Sequence, residues 1–394
     1  MCDYDFTSIR DRRFTGSSKW IPLENIKDYH QEIIPLSVAD MEFVLAPEIV
    51  EGLKNFLDKG SLGYSHPWAS YYEAVVMWLK ERHQVEVEKD WIVMASGVVS
   101  AIEVSIEAFS EVGEGVVITT PLYPPFARSI RSLNRKLIDV PLYKDANGIF
   151  IMDFEAIEKA FQKESTKLFM LCSPHNPTGR LWDIDELQRL IDLVKKYDIL
   201  LLSDEIWMDF EITKKHHSIL KVDPSIKDSL ILCTAPSKTF NLASLWTSNI
   251  IIPNPELRQR YCQVVTKIKG NHINVLGLVA CETAYRNAQP WLDELLEIIR
   301  ENQSLVHNYF LHNFPSIYAP ISEGTYIMWI DMRCLGKNDE ELEKFLEEEA
   351  HIYGNMGSRF GEVGEGFLRI NVALPKVYLE KTLTRLGEAL KKIV

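Results

Sequence analysis

Lys167-Leu-Phe-Met-Leu-Cys172, then Asp183 to Tyr197, then Ile199-Leu-Leu-Leu-Ser203 is the stretch that decides the fold. The two outer runs are continuously apolar with little alternation, the pattern of strands buried on both faces. Between them Leu187, Leu190, Ile191 and Val194 fall at i, i+3, i+4 and i+7, one face of a helix. Strand, helix and strand in that order make a crossover unit of a parallel sheet. Working outward, Trp91–Ala95, Gly115–Thr119, Leu230–Thr234 and Ser248–Ile252 also read as buried strands, and Asp153–Gln162 repeats the helical spacing. The fold class is therefore α/β with a mainly parallel sheet. Pro47 opens a helix through Leu57, closed by Gly60. Beyond Pro255 the chain reads as long helices to about Phe314. It then mixes strands (Gly324–Asp331, Gly366–Asn371) with helices (Asp339–Ala350, Pro375–Val394). This predicts a large domain over about 46–285, and a smaller α+β domain from 286–394 with the N-terminal arm 1–45.

The 394 residues are 46% hydrophobic and 25% charged, an ordinary globular balance. A chain of this length buries a large core without disulfides or metals. Its 43 basic and 56 acidic residues leave a net charge of −13, which disfavours a broad nucleic-acid or anionic-membrane footprint. No apolar run approaches the roughly 20 residues of a membrane helix. Met1-Cys-Asp-Tyr-Asp lacks the basic-then-apolar order of a signal peptide, so a cytoplasmic protein is expected. The six cysteines show no Cys-x-x-Cys spacing, which argues against a zinc site or a redox pair. Cys172 and Cys233 end apolar runs and read as buried thiols.

In open parallel sheets ligands bind beyond the carboxyl ends of the strands. Three segments stand there: Cys172-Ser-Pro-His-Asn-Pro-Thr-Gly179, Ser203-Asp-Glu-Ile-Trp207 and Thr234-Ala-Pro-Ser-Lys-Thr-Phe-Asn241. Lys238 directly follows a buried strand. Such a lysine either has a depressed pKa and attacks a carbonyl, or is a surface lysine in a loop. Asp204 follows Ile199-Leu-Leu-Leu-Ser203, where a carboxylate is costly unless paired. It either faces a cationic ligand group or caps the next helix. Ser96-Gly-Val-Val-Ser100 turns from a strand into a helix through Phe109, a backbone N–H cradle for an anion. Neither Gly-x-x-x-x-Gly-Lys-Ser/Thr nor Gly-x-Gly-x-x-Gly occurs, so a nucleotide site loses its usual support.

Taken in order, these segments resemble a pyridoxal-phosphate (PLP) enzyme of the aspartate-aminotransferase fold, fold type I. Within it they resemble the MalY/PatB group of cysteine-S-conjugate β-lyases, or cystathionine β-lyases. Asp11-Arg-Arg with Ser18-Lys-Trp20, Val38-Ala-Asp-Met-Glu-Phe43 and Gly63-Tyr-Ser65 carry the likeness at the start. Pro174-His-Asn-Pro-Thr-Gly-Arg180, Ser203-Asp-Glu-Ile206, Ala235-Pro-Ser-Lys-Thr-Phe-Asn241 and Gly364-Glu-Gly-Phe-Leu-Arg-Ile-Asn371 carry it through the rest. The resemblance implies a mostly parallel seven-stranded sheet. It implies that Lys238 holds PLP covalently and moves the proton, and that Asp204 pairs with the pyridine nitrogen. Gly97 and Val98 would bind the phosphate, with Ser237 and Thr234 nearby. Tyr123 would stack on the ring and Asn176 would donate to its phenolate oxygen. Arg369 would hold the substrate α-carboxylate, and Tyr326 would line the pocket. Tyr64 would reach the phosphate of a neighbouring subunit, implying a homodimer with shared active sites.

Some positions depart from the group. Trp207 stands where it commonly has His and aminotransferases have Tyr; an indole N–H donates but cannot accept. Ala243-Ser-Leu245 replaces Ala-Gly-Leu, and Ile21 follows Ser18-Lys-Trp20 where Asp is usual. Trp246 replaces the phosphate-binding Arg of aminotransferases and the Gln frequent in the group. It reads either as a wall of the pocket or as a core residue beside Leu245. The expected activity is β-elimination from an L-cysteine conjugate or cystathionine, giving a thiol, pyruvate and ammonia. An aminotransferase would use the same Lys238, Asp204 and Arg369. A catalytically weak binding or regulatory descendant is the third reading.

Overall fold

The computed structural model describes residues 4–26, 33–146, 148–268 and 273–393. In chain order its strands are β1 (Ile92–Ala95), β2 (Gly115–Ile118), β3 (Lys136–Asp139), β4 (Tyr143–Lys144), β5 (Phe150–Ile151) and β6 (Thr166–Cys172). There follow β7 (Leu200–Asp204), β8 (Leu230–Thr234), β9 (Ser248–Ile251), β10 (Ile327–Asp331), β11 (Asn355–Met356) and β12 (Phe367–Asn371). Seven of them form one sheet in the order β1-β9-β8-β7-β6-β2-β3, and β10-β12-β11 form a second. The pairs from β8 to β3 are all parallel, as the crossover pattern requires.

The sheet has the seven strands and the mostly parallel order expected, and two features add detail to it. β9 runs antiparallel to both β8 and β1. Between β8 and β9 the chain makes only the short helix Pro236–Thr239 and one further turn, too little for the long crossover a parallel return requires. β3 carries no strand signal in the sequence. It is an edge strand with exposed Lys136 and Asp139 at its ends, so it lacks a continuous apolar run.

The missing alternation inside the other strands has a direct cause. Val117, Phe169, Leu171, Leu201, Leu232 and Ile251 point into one core, beneath helices that include Ala69–His83, Ile184–Lys196 and Val275–Asn287. Their neighbours Val116, Ile118, Leu168, Met170, Leu202 and Ile250 point into another, beneath Val98–Phe109 and Pro255–Lys267. Both faces are dry, so both sets must be apolar. Cys172 and Cys233 belong to the second set and are buried, free thiols; Cys2 lies outside the described residues.

A third core joins Trp20, Leu23, Ile33, Ile34 and Leu36 to the β10-β12-β11 sheet and the helices Asp339–Glu348 and Lys376–Leu390. The C-terminal helix, expected over Pro375–Val394, runs over Lys376–Leu390 and gives way to a turn from Lys391; Val394 lies outside the described residues. The helical tract after Pro255 divides into Pro255–Lys267, Val275–Asn287 and Gln289–Asn313. The last of these spans two cores, with Trp291, Leu295 and Ile299 in one and Val306 and Phe310 in the other. Among the described residues no helix is long and apolar enough to cross a membrane.

Candidate active site

Register places the candidate residues at one edge of the sheet. Cys172, Asp204 and Cys233 are level across β6, β7 and β8, so the segments that follow them emerge side by side. Through antiparallel β9, β1 runs in the same direction as β8. Ala95 is level with Ser248, and Thr234 with Asn249. The Ser96-Gly97 turn and Trp246 therefore reach the same edge.

Lys238 lies on the short helix Pro236–Thr239 and is half-buried. Its Nζ donates to the Ala39 carbonyl at 2.7 Å, and the Tyr326 hydroxyl donates to the same oxygen at 3.0 Å. The Trp207 ring centroid lies 5.5 Å from Nζ. Burial, reinforced by the Arg369 charge, pushes the Lys238 ammonium from its ordinary 10.5 down to about 8. The surface-lysine reading is thus set aside. The next residue fixes the helix from beneath: Thr239 Oγ1 donates to Asp209 Oδ2 at 2.5 Å. Buried Asp209 also accepts from Trp78 Nε1 at 3.1 Å and lies 2.7 Å from His83 Nε2.

Asp204 is 5% exposed, and its Oδ1 accepts from the Ile206 N–H at 3.1 Å. Burial pushes its carboxyl from 3.8 up to about 7, against the pull of that N–H and of Lys238. No helix follows β7 directly, so the helix-cap alternative reduces to a bond that closes the next turn, and among the described residues the carboxylate has no ion-pair partner. Arg369 is also 5% exposed and is no surface arginine. Its Nη1 donates to Asn176 Oδ1 at 3.1 Å and its Nη2 to Asn355 Oδ1 at 2.6 Å. Its Nε is buried with no hydrogen-bond partner. Burial lowers it from 12.5 to about 10, so it keeps its charge at neutral pH.

Tyr123 is half-buried, with its phenol pushed up by burial and feeling both Arg369 and Asp204. Tyr326 is fully buried, packed edge-on against Trp207 at 4.7 Å and Phe210 at 5.0 Å. Trp207 is 2% exposed, so its indole is wall rather than surface. Gly97 takes φ +90 immediately before the helix Val98–Phe109, a conformation that favours glycine. A Cβ built on it would meet Trp246 Cε3 at 3.4 Å. Trp246 itself is 64% exposed, which overturns the core reading: its ring covers the Gly97 turn. Ser237 is half-buried beside Lys238, and Thr234 Oγ1 is turned to the Asn249 carbonyl at 3.3 Å. Tyr64 is fully exposed and is not gathered with the others in the single chain.

Sequence reasoning gave no role to the clamp over Lys238. Asn241, at φ +57, binds both backbone groups of Met41 at 2.9 and 3.0 Å. Asn371 Nδ2 donates to the carbonyls of Val38 and Asp40 at 2.9 and 2.6 Å. Buried Lys19 pairs with Glu42 at 2.8 Å, and Trp20 Nε1 donates to Glu42 at 3.1 Å. These contacts hold Ala39 above the lysine. Their residues lie in four of the quoted blocks, which end at Trp20, Phe43, Asn241 and Asn371, but spacing alone could not join them.

Residues 31–386 match the family described as aminotransferase class I and II. The chain is 32% identical over 387 residues to cystathionine β-lyase PatB of Bacillus subtilis, spanning 98% of this chain and 100% of PatB. It is 32% identical over 395 residues to protein MalY of Escherichia coli, spanning 99% and 100%. Among solved structures it is similar to cystalysin from Treponema denticola, which contains PLP: TM-score 0.97, 41% identity, 99% of this chain and 100% of that one. The PLP-bound C-S lyase from Staphylococcus hominis has a TM-score of 0.90 at 30% identity, with 98% of each chain covered.

Proposed function

This chain belongs to the aminotransferase class I and II family, and on that premise we propose that it is a PLP-dependent carbon–sulfur β-lyase. Its substrate is L-cystathionine or another L-cysteine S-conjugate, and with water it yields a thiol, pyruvate and ammonia. The observation that carries the reading is a buried cluster within reach of one lysine: the Asp204 carboxyl, raised to about 7 by burial, and the Arg369 guanidinium, bonded among the described residues only to neutral amides, both acting on a Lys238 lowered to about 8. Buried charges persist where a ligand supplies the partner.

The residues fit PLP. Gly97 and Val98 open a 12-residue helix whose free N–H groups suit a phosphate, and the hydroxyls of Ser237 and Thr234, at the end of β8, are assigned to it as well. PLP, when bound, supplies an electron sink for the charge left at the substrate Cα. Lys238 is the covalent attachment point. Its amine, when free, would take the Cα proton and deliver a proton to the departing sulfur. Its lowered pKa gives a useful fraction of neutral amine near pH 7. Asp204 keeps the proton on the pyridine nitrogen. Tyr123 and Trp207 bound the ring, Asn176 donates to its phenolate oxygen, and Tyr326 lines the pocket. Arg369 holds the α-carboxylate through charge-assisted hydrogen bonds.

The reading includes a homodimer in which Tyr64 reaches the phosphate of the neighbouring site, in keeping with its full exposure here. It includes a cytoplasmic location, in keeping with five described cysteines that are all free. It also divides the chain into a cofactor-binding unit, 46–285, and a second unit of 1–45 with 286–394. The test compares two incubations of the purified protein, one with L-cystathionine alone and one with L-alanine plus a 2-oxo acid. Turnover in the first supports the lyase. Turnover in the second only would make the chain an aminotransferase.

A further inference from the structure

We infer that Asn355 is a positioning residue that aims Arg369 at the α-carboxylate of an amino-acid substrate while leaving its charge uncompensated. The inference rests on the reading of Arg369 given above. Asn355 stands directly opposite Arg369 in the β11–β12 pairing, so their side chains share one face of the sheet. The strand β11 is only two residues long, yet its position is tightly set. A Cβ on Gly354 would come within 2.7 Å of Leu368 Cδ1 and 3.1 Å of the Arg369 carbonyl. The close approach brings Asn355 Oδ1 to 2.6 Å from Nη2, while Asn176 Oδ1 takes Nη1 from the other side at 3.1 Å.

Both acceptors are amides. A guanidinium has five N–H donors, and these two bonds orient it without neutralising it. The third neighbour is Phe360, whose ring centroid lies 4.7 Å from the guanidinium carbon. An aromatic face attracts a cation but carries no net charge. Phe360 is in turn fixed edge-on by Trp329 at 5.5 Å, which stacks on Phe367 at 5.1 Å. A carboxylate in place of the Asn355 amide would be nearly the same shape and would satisfy Arg369 internally through a charge-assisted pair. The amide thus keeps the cation available to a substrate.

The test uses the PLP-loaded enzyme and two probes that differ by one carboxylate, L-alanine and ethylamine, each titrated calorimetrically. Asn355→Asp should weaken L-alanine by about 30-fold or more, because an internal carboxylate competes for the guanidinium, and leave ethylamine within about threefold. With L-cystathionine, KM should rise while kcat changes by less than about threefold, the mark of lost substrate binding. Asn355→Leu removes the hydrogen bond without adding charge. It should weaken L-alanine by about fivefold and spare ethylamine, and it decides the matter if the aspartate variant does not fold. L-alanine affinity within about twofold of wild type, or an equal loss for ethylamine, overturns the inference. Pyruvate from cystathionine together with unchanged L-alanine binding would sink this inference alone. Selective loss of L-alanine binding in a protein that makes no pyruvate would support the clamp and sink the lyase reading.

Discussion

Asp204 shows how far one residue carries the argument. A carboxyl held at about 7 rather than 3.8 binds its proton more tightly folded than unfolded. In protein stripped of PLP, its contribution to stability is therefore full below 3.8 and is lost as pH rises through about 7. We expect thermal melts of stripped wild type to fall behind stripped Asp204→Asn across that window, and a flat difference between the two would count against the assignment. In the loaded enzyme the same substitution leaves a buried cation unpaired, a loss of about 3 kcal/mol or more, which corresponds to a rate drop of at least roughly 100-fold. Trp246 gives a second residue-scale prediction. Because it is exposed and covers the Gly97 turn, Trp246→Arg should leave the melting temperature nearly unchanged and slow PLP loss on dialysis, since charge-assisted bonds are about twice as strong as neutral ones. Faster loss would contradict it. The carboxylate after four aliphatics was legible in the sequence. The exposure of Trp246 was not, because burial depends on what the following strand packs against.

At the scale of elements, strands dry on both faces announced themselves, β9 among them, but the edge strand β3 and the direction of β9 did not. An edge strand has polar neighbours, and strand direction is fixed by the length and path of the connection rather than by the strand's own residues. The arm over Lys238 was likewise opaque, since its hydrogen bonds join residues about 200 positions apart. The helix Gln289–Asn313 offers a direct test of how the two sheets are joined. Asn302 is fully buried and its Nδ2 donates to both Val372 O and Leu374 O at 2.8 Å, just beyond β12. Asn302→Ala strands two buried carbonyls and should cost about 2–4 kcal/mol. The readout is denaturant unfolding, and a loss below about 0.5 kcal/mol would show that the tie is unimportant.

For the whole molecule, the proposal is a dimer whose sites are each completed by the partner's Tyr64. Tyr64→Phe and Lys238→Ala chains, each impaired alone, should regain activity when mixed and refolded together, because one site in each hybrid then has both native residues. Mixtures that stay at the sum of the separate activities would contradict sharing. The family frame was legible across nearly the full length, because its ordered blocks run from Asp11 to Asn371. The balance between elimination and transamination was not, since both reactions call on Lys238, Asp204 and Arg369. The most direct measurement of the central claim is therefore product stoichiometry: purified, PLP-loaded protein with L-cystathionine and no 2-oxo acid, with thiol and pyruvate quantified together. Equal amounts of the two, accumulating over many turnovers and abolished in Lys238→Ala, are the expected result; no thiol, or turnover that begins only when a 2-oxo acid is added, would contradict it.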